Sequence, residues 1–136
     1  MIIFGEKFNS SIPSTYEMMK DWDEEKLIAL AKSQEEAGAD YLDLNTAMFG
    51  EEEKALLCRL TDLVQQHTKC GIMLDSPSPD AVCAALEHVQ DRPVIINSIT
   101  LCERIQELLP VVCKSGAGVV CLPIDEDGMP EDAARR

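Results

Sequence analysis

Several absences narrow this sequence before any motif is read. No apolar run reaches the roughly 18 residues that a bilayer-spanning helix needs. The amino terminus, "MIIFGEKFN", has no basic segment followed by a long apolar one. A cytoplasmic protein with no membrane partner is expected. No Cys-x-x-Cys pair occurs among the six cysteines, Cys58, Cys70, Cys83, Cys102, Cys113 and Cys121, so zinc and iron-sulfur sites are not expected and the cysteines read as reduced apolar fillers. No cluster of Lys and Arg offers a footprint for a phosphate backbone, and the formal net charge of −13 argues against nucleic acid. That acidity reads as a solvated outer face in helix-like segments such as "DWDEEK" and "FGEEEKA". No loop resembles a glycine-rich dinucleotide turn.

What is present is enough for one globular domain: 136 residues, 46% of them hydrophobic. Short apolar runs recur as "IIF" at 2–4, "YLDL" at 41–44, "IML" at 72–74, "VII" at 94–96 and "VVCL" at 119–122. They are too short for helices and fit strands covered on both faces. The segments between them carry helical spacing. Val82, Ala85, Leu86 and Val89 share one helical face, and Ile105, Leu108, Leu109 and Val112 repeat the pattern. Ser78 before Pro79 reads as an N-cap with proline at the first helical position. Thr100 with Glu103 reads as a capping box. The phrases "EEAGADYLDL" and "CKSGAGVVCL" place Gly38 and Gly116 where a left-handed residue ends a helix before the next strand.

Strand-helix alternation at this pitch implies parallel strands with right-handed crossovers, about four and a half units of them. Two architectures fit: an open doubly wound sheet, or roughly the first half of a TIM (β/α)8 barrel, whose full form takes about 250 residues. In either, ligands bind at the carboxyl ends of the strands. The residues found there are polar. Glu6 and Asn9 follow the first run, Asp43 and Asn45 belong to the second, Asp75 closes the third, and Asn97 with Ser98 closes the fourth. Because Ser78 already caps the following helix, Asp75 is not needed as a cap. Asn97 offers a donor and an acceptor, whereas ionised Asp75 offers only acceptors. Without Lys or Arg beside Asp75 and Asn97, these groups suit the donor-acceptor edge of a flat heterocycle better than a phosphate.

The segments "GEKFN" at 5–9, "GADYLDLN" at 38–45, "LDSPSPDAV" at 74–82 and "INSIT" at 96–100 resemble, in order and spacing, the pterin-binding methyltransferases that use methyltetrahydrofolate and a corrinoid protein, including the folate domain of cobalamin-dependent methionine synthase. The resemblance covers almost the whole chain. It implies the N-terminal part of an eight-fold barrel in which Asp75 and Asn97 hold the pterin edge, and Glu6, Asn9, Asp43, Asn45 and Ser98 line the same mouth. The implied reaction moves the N5 methyl of methyltetrahydrofolate to the cobalt of a corrinoid carried by a partner protein. With no Asp-x-His-x-x-Gly segment, this chain is not expected to bind that corrinoid alone.

The family's second pterin-binding aspartate and the asparagine near N5 have no counterpart here, so the catalytic group is expected beyond residue 136. The isolated chain is expected to be inactive and either to self-associate or to pair with the missing half, since a half barrel leaves two open strand edges. A dihydropteroate synthase-like enzyme from the same superfamily is the second reading, disfavoured because "GEKFNSSIPS" lacks that enzyme's first-loop pattern. A non-catalytic pterin-binding or structural half barrel is the third. His67 and His88 lie in helical settings and read as surface residues rather than catalysts.

Overall fold

Four of the five apolar runs lie in strands, the first meets its strand only at Phe4, and helices hand each strand on to the next. The computed structural model describes residues 1–101 and 104–134. Strand β1 (Phe4–Asn9) leads to helices α1 (Pro13–Lys20) and α2 (Glu24–Glu36), then β2 (Tyr41–Asn45). A short 3-10 helix (Ala47–Glu52) runs into α3 (Glu53–His67), followed by β3 (Gly71–Asp75), α4 (Pro79–His88), β4 (Val94–Ile99), α5 (Arg104–Ser115) and β5 (Gly118–Cys121). The strands pair in parallel in the order β1-β2-β3-β4-β5. Sequential order with helical crossovers is the layout of a partial TIM barrel rather than of a doubly wound sheet, whose strand order reverses.

The period of two along each strand sorts the side chains. Leu42 and Leu44 of β2, Ile72 and Leu74 of β3 and Ile96 of β4 are fully buried, in one cluster with Leu27 and Ala31 of α2, Leu57, Leu60 and Val64 of α3, and Val82 and Ala85 of α4. Burying each Leu or Ile contributes about 1.5–3 kcal/mol, so this side holds the layers together. The alternate positions, Asp43, Asn45, Met73, Asp75, Ile95 and Asn97, are therefore free to carry polar groups.

Local chemistry sets the helix ends. The Ser78 side chain accepts from Ala81 N at 3.3 Å and starts α4 as expected, while Asp23 does the same for α2 through Lys26 N at 3.2 Å. Gly38 (φ 95°) and Gly116 (φ 71°) take the left-handed conformation after α2 and α5. Glu103 of the expected capping box lies outside the described residues.

The structure corrects four expectations. The first strand is not the run at 2–4 but Phe4–Asn9, so Glu6 and Asn9 lie inside it; Ile2 and Ile3 remain 60% and 43% exposed. The ladder begins there because Ile3 O accepts from Asp40 N and Tyr41 N, which sets the register of β1 against β2. Cys113 and Cys121 are exposed rather than filling the core, whereas Cys70 is buried. Leu109 is 47% exposed, and on α5 Leu108 and Val112 face inward. The "DWDEEK" segment is a turn and a helix start: Trp22 has a positive φ of 47° between α1 and α2, and its ring lies 3.5 Å beneath the Arg59 guanidinium carbon of α3.

Candidate functional site

Register brings the expected residues together. Asn9 of β1 pairs with Asn45 of β2, Asn45 with Asp75 of β3, and Asp75 with Asn97 of β4. One lateral row at the carboxyl ends of four adjacent strands thus consists entirely of Asn and Asp. Each strand reaches this row only because its apolar run has already been paired in phase with its neighbour. A one-residue slip would turn the row onto the helix-facing side.

Two side-chain pairs organise the row. Asn45 Nδ2 donates to Asp75 Oδ2 at 2.8 Å, and Asn97 Nδ2 donates to Asp43 Oδ2 at 3.5 Å, a long and weak contact. Asp43 is only 6% exposed, and among the described residues its Oδ1 has no hydrogen-bond partner. Its pKa is pushed up to about 7, first by burial and then by the charges of Asp75 and Glu6, while the Asn97 bond opposes the rise. Near neutral pH Asp43 is therefore split between a carboxyl that donates and a carboxylate that only accepts. Glu6 is exposed and joins the site through its charge on Asp43 rather than through a contact.

The remaining expected residues fare differently. Asn9 occupies the row, but its Oδ1 is taken by Ser11 N (2.9 Å) and Ser11 Oγ (2.7 Å) in a local turn. Ser98 is half-buried in the irregular step where the β4–β5 register shifts between Asn97 and Ile99. His88 is a helix-end partner of Asp62 at 2.8 Å, away from the row. Among the described residues no group of three or more His, Cys, Asp and Glu is arranged to hold a metal ion.

Three supporting residues were not singled out from the sequence. Ser10, 2% exposed, donates to Asn45 Oδ1 at 3.0 Å. Ser76, 1% exposed, donates to the buried Glu53 carboxylate and accepts from Ser78 N at 3.0 Å, which fixes the loop after Asp75. Glu53 opens α3, and its carbonyl accepts from the buried Thr46 hydroxyl. For Ser10 and Ser76 the available signal was only a Ser directly after a polar strand end, which ordinary turns share.

These groups fit an edge of a neutral heterocycle. Among the described residues Asp75 Oδ1 takes no hydrogen bond and is left for an N–H donor, the Asn97 amide stands beside it on β4, and Asp43 Oδ1, on β2, is a buried orphan. A buried polar atom without a partner costs about 1–3 kcal/mol, which a ligand donor would relieve.

Over residues 5–135 the chain matches the family described as Pterin binding enzyme. It is 33% identical over 100 residues to a methylcorrinoid:tetrahydrofolate methyltransferase of Eubacterium limosum, a match covering 74% of this chain and 36% of that protein. It is 30% identical over 143 residues to a methionine synthase of Mycobacterium tuberculosis, across 100% of this chain and 12% of that protein. A methionine synthase of Mycobacterium leprae is 31% identical over 135 residues, across 94% of this chain and 11% of that protein. The chain thus spans little more than a third of the first relative and near a tenth of the others. A match of this extent, on a sheet whose strand ends hold the Asn-Asp row, makes this chain a member of the family of pterin-binding enzymes.

Proposed function

We propose that residues 1–136 form the pterin-anchoring part of a methyltransferase domain that moves the N5 methyl of methyltetrahydrofolate to the cobalt of a corrinoid held by a separate protein or domain. The observation that carries this reading is the in-register row Asn45-Asp75-Asn97 beside the orphaned Asp43 oxygen. Asp75 Oδ1 accepts from the pterin's amino-pyrimidine edge, and Asn97 supplies one donor and one acceptor alongside it. Asp43, Asn45 and Glu6 form the floor; Asn9 and Ser98 border it. The strand-end row contains no Lys or Arg, which supports a neutral ring over a phosphate.

A tertiary amine is a poor leaving group, so N5 must gain a proton or hydrogen bond as its bond to methyl breaks. This part of the mouth binds and orients the ring. The group at N5 comes from the remaining strand-helix units of the barrel, in the same chain or an associated one. The reading places the protein in the cytoplasm; among the described residues no helix is long and apolar enough to cross a membrane.

Calorimetry with methyltetrahydrofolate tests the proposal. Heat of binding is expected from the wild-type chain, weakened about 10- to 100-fold in Asp75→Asn, the loss of one hydrogen bond to a charged group. A wild-type chain that gives no heat at millimolar ligand overturns the reading.

A further inference from the structure

We infer that Ser10 is a positioning residue for the ligand-facing oxygen of Asp75, acting through the side-chain amide of Asn45. The inference rests on the pterin reading of Asp75 and adds a residue that touches neither the ligand nor Asp75.

The hydrogen bonds run across three strands. Ser10 follows β1 and is 2% exposed. Its hydroxyl donates to Asn45 Oδ1 at 3.0 Å and accepts from Met48 N at 3.1 Å, so both of its roles are in use. Asn45 Oδ1 also accepts from Ala47 N at 3.1 Å. A backbone N–H only donates, so the carboxamide atom facing Ala47 must be the oxygen. The nitrogen is then turned toward Asp75 Oδ2, 2.8 Å away. Ser10 and Ala47 therefore fix which end of the amide faces Asp75, and that amide occupies one carboxylate oxygen and leaves the other for a ligand.

Without the hydroxyl, Asn45 Oδ1 keeps one donor instead of two, and Met48 N–H loses its acceptor. The amide oxygen is then held by Ala47 N–H alone, and the amide swings through a wider range about that bond. Both the direction of the Asp75 carboxylate and its free oxygen become less well defined. A bond formed with the ligand must then order these groups as well as bind.

The test uses the 136-residue chain, labelled with nitrogen-15, and the side-chain amide signal of Asn45, assigned by its loss in Asn45→Asp. In the wild type one Nδ2 proton should be shifted downfield and protected from exchange by Asp75. Ser10→Ala should weaken that protection while the backbone amides of Leu44 and Leu74 keep theirs, and Ser10→Thr, which retains the hydroxyl, should restore it. Ser10→Cys keeps the volume with only a weak donor and gives the same reading should Ser10→Ala fail to fold. Methyltetrahydrofolate affinity should fall about tenfold in Ser10→Ala, as for one lost hydrogen bond, and recover in Ser10→Thr. An Asn45 signal unchanged in both Ser10→Ala and Ser10→Cys overturns the inference, as does equal affinity in a binding-competent wild type and Ser10→Ala. Absence of binding by the wild type counts against the pterin reading alone, and the amide signal then decides the role of Ser10.

Discussion

Asn45 of β2 donates its side-chain N–H to Asp75 of β3 at 2.8 Å, and the same two residues are register partners in the sheet. The ladder sets the spacing of their backbones, and the side-chain bond sets the direction of the carboxylate. A hydrogen bond to a charged group contributes about 1.5–3 kcal/mol, enough to hold Asp75 in one orientation at a half-buried strand end.

Asp43 should make stability depend on pH. Its pKa rises from 3.8 to about 7 in the folded chain, chiefly through burial. Between those values the folded state binds more protons than the unfolded one, so this group's stabilising contribution is fully present below 3.8 and is lost as pH rises through about 7. Asp43→Asn has no proton to lose over this range. In urea unfolding, its stability relative to wild type should improve from about pH 5 to about pH 8. A gap that stays constant across that range would show that Asp43 does not titrate there.

Ser78 and Asp75 should separate stability from binding. Ser78 caps α4 through Ala81 N, and Ser78→Ala should cost about 1 kcal/mol. Because the carboxylate of Asp75 is held from the β2 side, methyltetrahydrofolate affinity should change little in the same variant. A large loss of affinity without a loss of stability would mean that the cap and the carboxylate are coupled.

Gly71 opens β3 beside an aromatic ring. A Cβ there would stand 2.4 Å from Tyr41, closer than any tolerated contact, so Gly71→Ala should destabilise the sheet by about 1–3 kcal/mol. Trimming the ring in Tyr41→Val should recover part of that loss. A double-mutant cycle on chemical unfolding measures the coupling, and strict additivity would argue that the two sites do not meet.

The strand-helix order and the site row were legible because they depend on short-range rules. Asp75 and Asn97 close apolar runs, Ser78 precedes a proline, and Gly38 and Gly116 stand where a left-handed residue is needed. The start of β1 was misplaced because Ile2 and Ile3 look like a buried run; what decides is the pairing of Ile3 with Asp40 and Tyr41, 37 and 38 residues away in sequence. Leu109 and the exposed Cys113 and Cys121 were misjudged because helical spacing and residue type do not say which neighbours are at hand. Ser10 was missed for a related reason: its role exists only once β1 and β2 lie side by side.

Glu53 belongs to the outer helical layer, yet its carboxylate receives the hydroxyl of Ser76, the residue immediately after Asp75. The mouth is thus not a detachable set of strand ends. Grafting Asp75 and its loop onto another barrel would transfer the carboxylate without its anchor unless the first turn of the helix after the preceding strand travelled with it.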